Sequence, residues 1–323
     1  MTDTNSSLFS LPVEILATVR GALLEWFAGH GRDLPWRHTR DPYKILVSEI
    51  MLQQTQVDRV VPKYQAFLEL FPSLAALAAA PTAEVIRAWT GLGYNRRAVN
   101  MQRAARAVLD TYAGQFPRDL GELLKLPGIG PYTAGAIACF AFEQDVAFMD
   151  TNIRRVMQRL FVGPEESALA GEPLLLAIAR EAVPPGQGWA WNQAIMELGA
   201  LICTAAAPAC WRCPVQAHCR AYAARRAADE QLFSSSSAPA PQRLRRVAER
   251  RETAYAGSNR FYRGRAIEAL RQLGPGEALP LPTLGHQIKG GFTDNDMAWL
   301  RALVEELARD GLLALEDDQA RLP

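Results

Sequence analysis

Along the first 230 or so residues apolar positions recur at three- and four-residue spacing, and alternating β-branched runs are scarce. That periodicity predicts an almost entirely helical region. Proline punctuates it: Pro42, Pro62, Pro72, Pro81, Pro117, Pro127 and Pro131 fall near predicted helix starts. The low-complexity run FSSSSAPAPQ then breaks the pattern. It reads as a linker, because it offers little apolar surface to offset the entropy of ordering. Beyond it, RGRAIEALRQL, LPTLGHQIK and TDNDMAWLRALVEELARDG predict three helices, the last with Met297, Leu300, Leu303, Val304 and Leu307 on one face. LLALEDDQARLP predicts two short strands about an acidic turn. Three helices and a hairpin suggest a small winged-helix-like domain, a shape that serves DNA or protein contact.

Length, charge and the N-terminus narrow the setting. At 323 residues the chain has room for two or three domains. No stretch reaches the roughly 18 uninterrupted apolar residues of a membrane span, and MTDTNSSLFSLPVEI lacks the basic start and apolar core of a signal peptide. A cytoplasmic, reducing location is expected, with no membrane partner. The net charge of +1 announces no polyanion. Between Arg243 and Arg265, however, eight arginines face only Glu249 and Glu252. Such a stretch fits a phosphate backbone or a solvated linker equally well.

Four of the five cysteines lie in CTAAAPACWRCPVQAHC, at Cys203, Cys210, Cys213 and Cys219. The reducing compartment counts against disulfides. Zinc usually takes two separated Cys-x2-Cys knuckles or Cys/His pairs; here there is one knuckle, and His218 beside Cys219 is a poor ligand. Four thiolates closing one loop suit a [4Fe–4S] cluster, with zinc left open by spacing alone. The fifth, Cys139 in AIACFAF, reads as a core residue.

Three further motifs carry chemistry. LPGIGPYTAGAIACF predicts two helices joined by Gly128-Ile129-Gly130. Glycines there permit positive φ, and a helix start beside the turn can grip one phosphate. In VSEIMLQQTQV, Glu49 sits inside an apolar helix, where the charged form of a carboxyl is disfavoured; that suits a general acid. Gln53, Gln54 and Gln56 follow, with amides able to bond bases or phosphates. In FMDTNIRRVMQR, Asp150, Thr151 and Asn152 are good N-caps, and capping is the plain reading of Asp150. A protonated and an ionised carboxyl flanking a glycosidic bond would also suit an oxocarbenium-like transition state.

The hairpin turn, the aspartate after it and the cysteine loop together resemble the helix-hairpin-helix DNA glycosylase superfamily. Within it, LPWR, DPYKILVSEIMLQQTQV, WTGLGY, GPYTAGAI and NQAIMELGALICT resemble the MutY-type adenine DNA glycosylases. The resemblance implies a mainly α, two-lobed fold with a [4Fe–4S] cluster on the four loop cysteines, plus the winged-helix-like addition. The expected organisation is residues 1–34 as an N-terminal helix packing on the cluster lobe, 35–140 as the helical lobe with the hairpin, 141–232 as the cluster lobe, 233–258 as linker and 259–323 as the added domain. The implied activity is excision of adenine opposite 8-oxoguanine or guanine in base excision repair. The partner is double-stranded DNA, bound by a monomer associated with the nucleoid.

By the same resemblance Glu49 protonates adenine and Asp150 stabilises the sugar cation. Tyr132 stands where the lyase branch has a Schiff-base lysine, so no lyase activity is expected, and it would orient Asp150. Leu34, Trp36 and Arg37 match the adenine pocket, Gln54 and Tyr94 the residues that wedge into the stack, and Gly128, Gly130 and Asn152 the DNA-binding set. Asn95 replaces a second tyrosine, Thr151 replaces a glycine, and the usual 8-oxoguanine-recognising domain has no counterpart. A mismatch thymine or uracil glycosylase and a non-catalytic iron–sulfur DNA-binding regulator are the competing readings.

Overall fold

The computed structural model describes residues 11–165, 169–234 and 255–323. Residues 1–10, 166–168 and 235–254, with most of the FSSSSAPAPQ run and the arginines from Arg243 to Arg251, lie outside the described residues. The chain divides into two compact units: Met1–Pro42 with Gly130–Arg245, and Tyr43–Ile129 with Arg246–Pro323.

In the first unit the helix Gly188–Leu201 is the axis. Trp191, Ala194, Ile195 and Leu198 are all buried, as befits a helix apolar on most sides. Helices Val13–His30, Pro131–Phe142 and Thr151–Met157 pack on it. Two close approaches set this packing. A Cβ on Gly135 would lie 2.5 Å from Phe148, and one on Gly199 would lie 2.8 Å from Asn152. The helix Glu172–Ala182 is closed by Arg20, which donates to the carbonyls of Glu181, Ala182 and Val183.

The second unit begins with the helix Pro42–Leu52, buried from Ile45 to Met51. Helices Val57–Leu70, Leu74–Ala79, Thr82–Ala88 and Arg96–Tyr112 follow. Pro42 opens its helix, and Pro72 and Pro81 just precede theirs. Pro62 departs from the expectation: it lies inside Val57–Leu70. A proline there forfeits one helical hydrogen bond, but Val60, Tyr64 and Phe67 form a buried stripe that carries the helix across it.

The C-terminal segment builds helices Asn259–Arg271, Leu281–Ile288 and Met297–Arg309. Strands β1 (Leu279–Pro280), β2 (Ala314–Glu316) and β3 (Gln319–Arg321) form an antiparallel sheet in the order β1-β3-β2. The hairpin β2–β3 turns at Asp317 and Asp318, both at positive φ, and β1 adds a third strand that periodicity had not suggested. The core of this module extends onto the earlier helices. Leu300, Leu303, Val304 and Leu307 pack in one cluster with Ile86 and Val99 of the earlier helices. Arg271 crosses the same seam, donating twice to the Ile86 carbonyl and once to Asn95 Oδ1.

That last contact is testable. Arg271→Ala would leave a half-buried helix-end carbonyl without its donors, at a cost of about 2 kcal/mol. Urea unfolding followed by circular dichroism should show the midpoint fall. An unchanged midpoint would mean that the apolar cluster alone holds the module.

Candidate active site and cluster loop

Glu49 is 3% exposed on the helix Pro42–Leu52, among Ile45, Leu46, Ile50 and Met51. The helix ends at Leu52, and the following turn is forced: Gln54 adopts φ +55° with its side chain exposed. The turn Trp89–Tyr94 is similar. Gly91 and Gly93 take positive φ, as does Tyr94, at +46°. Trp89 is buried and donates from Nε1 to the Gly93 carbonyl.

Arg97 ties these two turns together. Its Nη1 donates to the carbonyls of Ile50 and Gln53, and its Nη2 to those of Leu92 and Gly93. Burial pulls its pKa down to about 10, so it stays charged at neutral pH. Sequence reading missed Arg97, because an arginine at a helix start usually reads as solvated.

The hairpin turn treats its two glycines differently. Gly128 has φ +76°, and a Cβ there would meet Asn100 at 2.7 Å. Gly130 is extended, φ −95°, with open space where a Cβ would go. Gly130 serves as the N-cap of Pro131–Phe142, a position that favours extended backbone, so of the two glycines only Gly128 uses the positive φ that glycine permits. No side chain caps this start.

In the first unit Leu34 and Trp36 are buried, and Trp36 and Arg37 form a short 3-10 turn, Pro35–His38. Arg37 is committed within the protein. It donates to Gln193 Oε1 at 2.8 Å, to the Arg32 carbonyl at 2.7 Å and to Glu197 Oε2 at 2.9 Å. Burial would raise the Glu197 carboxyl, but hydrogen bonds from Arg32 and Arg37 overcome it and hold the pKa at about 2. Arg37 thus anchors the Leu34–Trp36 segment to the central helix.

Asp150 caps the helix Thr151–Met157. Its Oδ1 accepts from the Ile153 amide at 2.6 Å, and its Oδ2 from Asn152 Nδ2 at 3.3 Å. Burial pushes its carboxyl above the ordinary aspartate value, more than these bonds and Arg155 pull it down. Tyr132, in the first turn of Pro131–Phe142, packs edge-on against Phe148 with ring centroids 5.4 Å apart.

The helix beginning at Asp150 continues as a π-helical turn, Gln158–Val162, and its arginines hold the cysteine loop. Arg155 donates to the carbonyls of Gly199 and Cys203. Arg159, 5% exposed, donates to those of Thr204 and Ala205 and lies 3.7 Å from Cys203 Sγ. Spacing offered a signal here, since the two arginines fall one turn apart on a helix with buried Ile153 and Val156.

Cys203, Cys210, Cys213 and Cys219 line one pocket with Ile202, Pro208, Ala221 and Tyr222. Among the described residues no group of three His, Cys, Asp or Glu side chains is arranged to hold a single metal ion. Burial pushes Cys213 up to about 12 and Cys219 upward too, so a bound metal centre would have to supply the compensation for thiolate charge. Cys139 is fully buried and accepts from Asn192 Nδ2, as a core residue.

Glu49, Gln54, Tyr94 and Gly128 belong to the second unit, and the remaining candidates to the first. The comparisons give this arrangement its context. The HhH-GPD superfamily base excision DNA repair family matches residues 47–175. An adenine DNA glycosylase from Mycolicibacterium smegmatis is 42% identical over 250 residues, 77% of this chain and 79% of that protein. One from Mycobacterium tuberculosis is 36% identical over 300 residues, covering 90% and 87%. The human adenine DNA glycosylase is 41% identical over 240 residues, of which the match spans 43% of its own length. Among solved structures, a thermostable thymine-DNA glycosylase aligns at TM-score 0.61 and 32% identity, over 65% of this chain and 98% of that one. Endonuclease III trapped on DNA aligns at TM-score 0.56 and 24% identity over 67% of this chain and 100% of that one, a likeness of fold. With its buried helical glutamate, glycine hairpin and helix-capping aspartate in the matched region, the chain belongs to the adenine DNA glycosylases of the HhH-GPD superfamily.

Proposed function

We propose that the protein hydrolyses the N-glycosidic bond of adenine mispaired in duplex DNA, opposite 8-oxoguanine or guanine. The observation that carries this reading is the burial of Glu49 inside an apolar helix. In its protonated form Glu49 can deliver a proton to adenine N7 as the C1′–N9 bond breaks and its electron pair leaves with the base. Asp150, as carboxylate, stabilises the sugar cation left behind. Glu49, now ionised, takes a proton from the water that adds at C1′. Tyr132 offers no amine for an imine, so the strand stays uncut. Leu34 and Trp36 wall the base pocket, Gln54 and Tyr94 enter the stack, and Gly128, Gly130 and Asn152 meet the DNA backbone. Among the comparisons, adenine-specific relatives match this chain at higher identity than the thymine-DNA glycosylase structure does.

We assign a [4Fe–4S] cluster to Cys203, Cys210, Cys213 and Cys219. When bound it supplies a rigid hub for the loop and no chemistry at the base. Arg155 and Arg159 link that loop to the helix of Asp150, so the loop supports the aspartate's placement. Purified protein should be brown, with about four irons and matching sulfide per chain. Stoichiometric zinc without iron would overturn the assignment.

The glycosylase reading is tested by single-turnover base release on duplexes carrying A opposite 8-oxoguanine, G or C, with T opposite G alongside. Glu49→Gln should bind DNA normally yet lose about three decades of rate or more, the scale of general acid catalysis with water activation. Near wild-type release by Glu49→Gln, or release of thymine in place of adenine, would refute it.

Asp150 separates catalysis from capping through its pH dependence. A folded-state value raised above the unfolded one means that ionising Asp150 costs stability. The cost is absent below about pH 4, where the unfolded aspartate is protonated, and grows as pH rises through the raised value. Asparagine keeps a good cap and cannot ionise. Asp150→Asn should therefore be inactive but at least as stable at pH 7, with a flatter stability profile across the acid range. An active variant would leave Asp150 only its capping role.

A further inference from the structure

Tyr94 is 44% exposed and held at φ +46°, a conformation costly for a bulky residue. Its surroundings must over-determine it, and two arginines do so. Arg97 lies 5.6 Å from the ring centroid while bonding the turn's carbonyls. Arg260, from the C-terminal module, lies 4.5 Å from the same centroid and donates from Nη2 to the phenol oxygen. Arg260 is itself backed by Tyr255, whose centroid is 5.5 Å away. It sits in the first turn of Asn259–Arg271, where the helix dipole disfavours a cation, so its position is not explained by helix propensity. Its neighbour Arg263, by contrast, is held by Glu306 and Asp310. Tyr94, Arg97, Tyr255 and Arg260 line one cleft of about 500 Å³, whose walls come from both the early helices and the module.

Turning a base out of a duplex leaves a gap, and a flat ring recovers stacking there. A ring that must first be ordered loses part of that gain, whereas a ring already fixed does not. We infer that Arg260 is a positioning residue: it holds Tyr94 as a rigid prong for the duplex, so that the C-terminal module acts on base eversion through Tyr94. The inference rests on the glycosylase reading above for its context.

The test uses the full chain and a duplex with 2-aminopurine beside the mispaired adenine, whose fluorescence rises on eversion. It reads binding alone, so it stands whether or not adenine is released. Arg260→Ala should weaken duplex affinity about tenfold and lower the fluorescence reached at saturating protein. Thermal unfolding should not move, because the side chain is exposed. Arg260→Lys, which keeps a cation over the ring, should restore part of both signals. On a Tyr94→Ala background the effect of Arg260→Ala should disappear. An undiminished effect on that background would mean that Arg260 meets DNA by itself, and would overturn the inference. Wild-type affinity and fluorescence in Arg260→Ala would overturn it as well. Intact eversion by the wild type without adenine release would refute the glycosylase reading and leave the prong standing.

Discussion

Short helices end often, and each end leaves backbone carbonyls that the helix itself cannot satisfy. In this protein arginines, most of them half-buried, repeatedly take up those carbonyls. Arg20 closes Glu172–Ala182, Arg97 closes Pro42–Leu52, Arg106 bonds Ala78 and Ala80 after Leu74–Ala79, and Arg271 bonds Ile86 within Thr82–Ala88. Arg155 and Arg159 do the same beyond Gly188–Leu201. A planar guanidinium can reach several carbonyls at once in a fixed fan, which an ammonium on a flexible stem does less well. The composition follows suit: of the 35 basic residues only Lys44, Lys63, Lys125 and Lys289 are lysines. Part of the positive charge is thus spent on the fold's own carbonyls.

The candidate chemistry is laid over this scaffold. The Asp150 carboxyl and the Cys213 and Cys219 thiols sit where burial penalises their charged forms. The Asp150 carboxyl is poised by the cap it makes, and its helix is fixed at the other end by the cysteine loop. Exposed side chains in costly backbone conformations, Gln54 and Tyr94, stand on turns that one arginine locks. Both are departures from what folding alone would choose, whereas the other positive-φ side chains, Ala113, Glu143, Asp317 and Asp318, sit at helix ends or in the C-terminal hairpin.

Features set by local spacing were legible in the sequence. The helical regime, the cysteine loop, the glycine hairpin and the buried setting of Glu49 all follow from residues within one or two turns of each other. What depends on long-range packing was not. Ile86 and Val99 look like ordinary apolar positions on amphipathic helices, and nothing local marks them as the seat of the C-terminal module. Arg37 carries a family motif, yet its guanidinium is consumed by Glu197, over 150 positions away in the chain. Gly130 reads as a twin of Gly128 until the backbone shows one in a cap and the other in a left-handed turn.

The shared cluster around Ile86 and Val99 also constrains the order of events during synthesis. Those residues emerge from the ribosome long before Leu300, Leu303 and Leu307 exist to cover them. Through that interval the nascent second unit presents an apolar face, while the intervening segment builds a different unit altogether. The last burial step of the second unit therefore waits for the C-terminal module, and a chain ending ahead of it would leave Ile86 and Val99 without these partners.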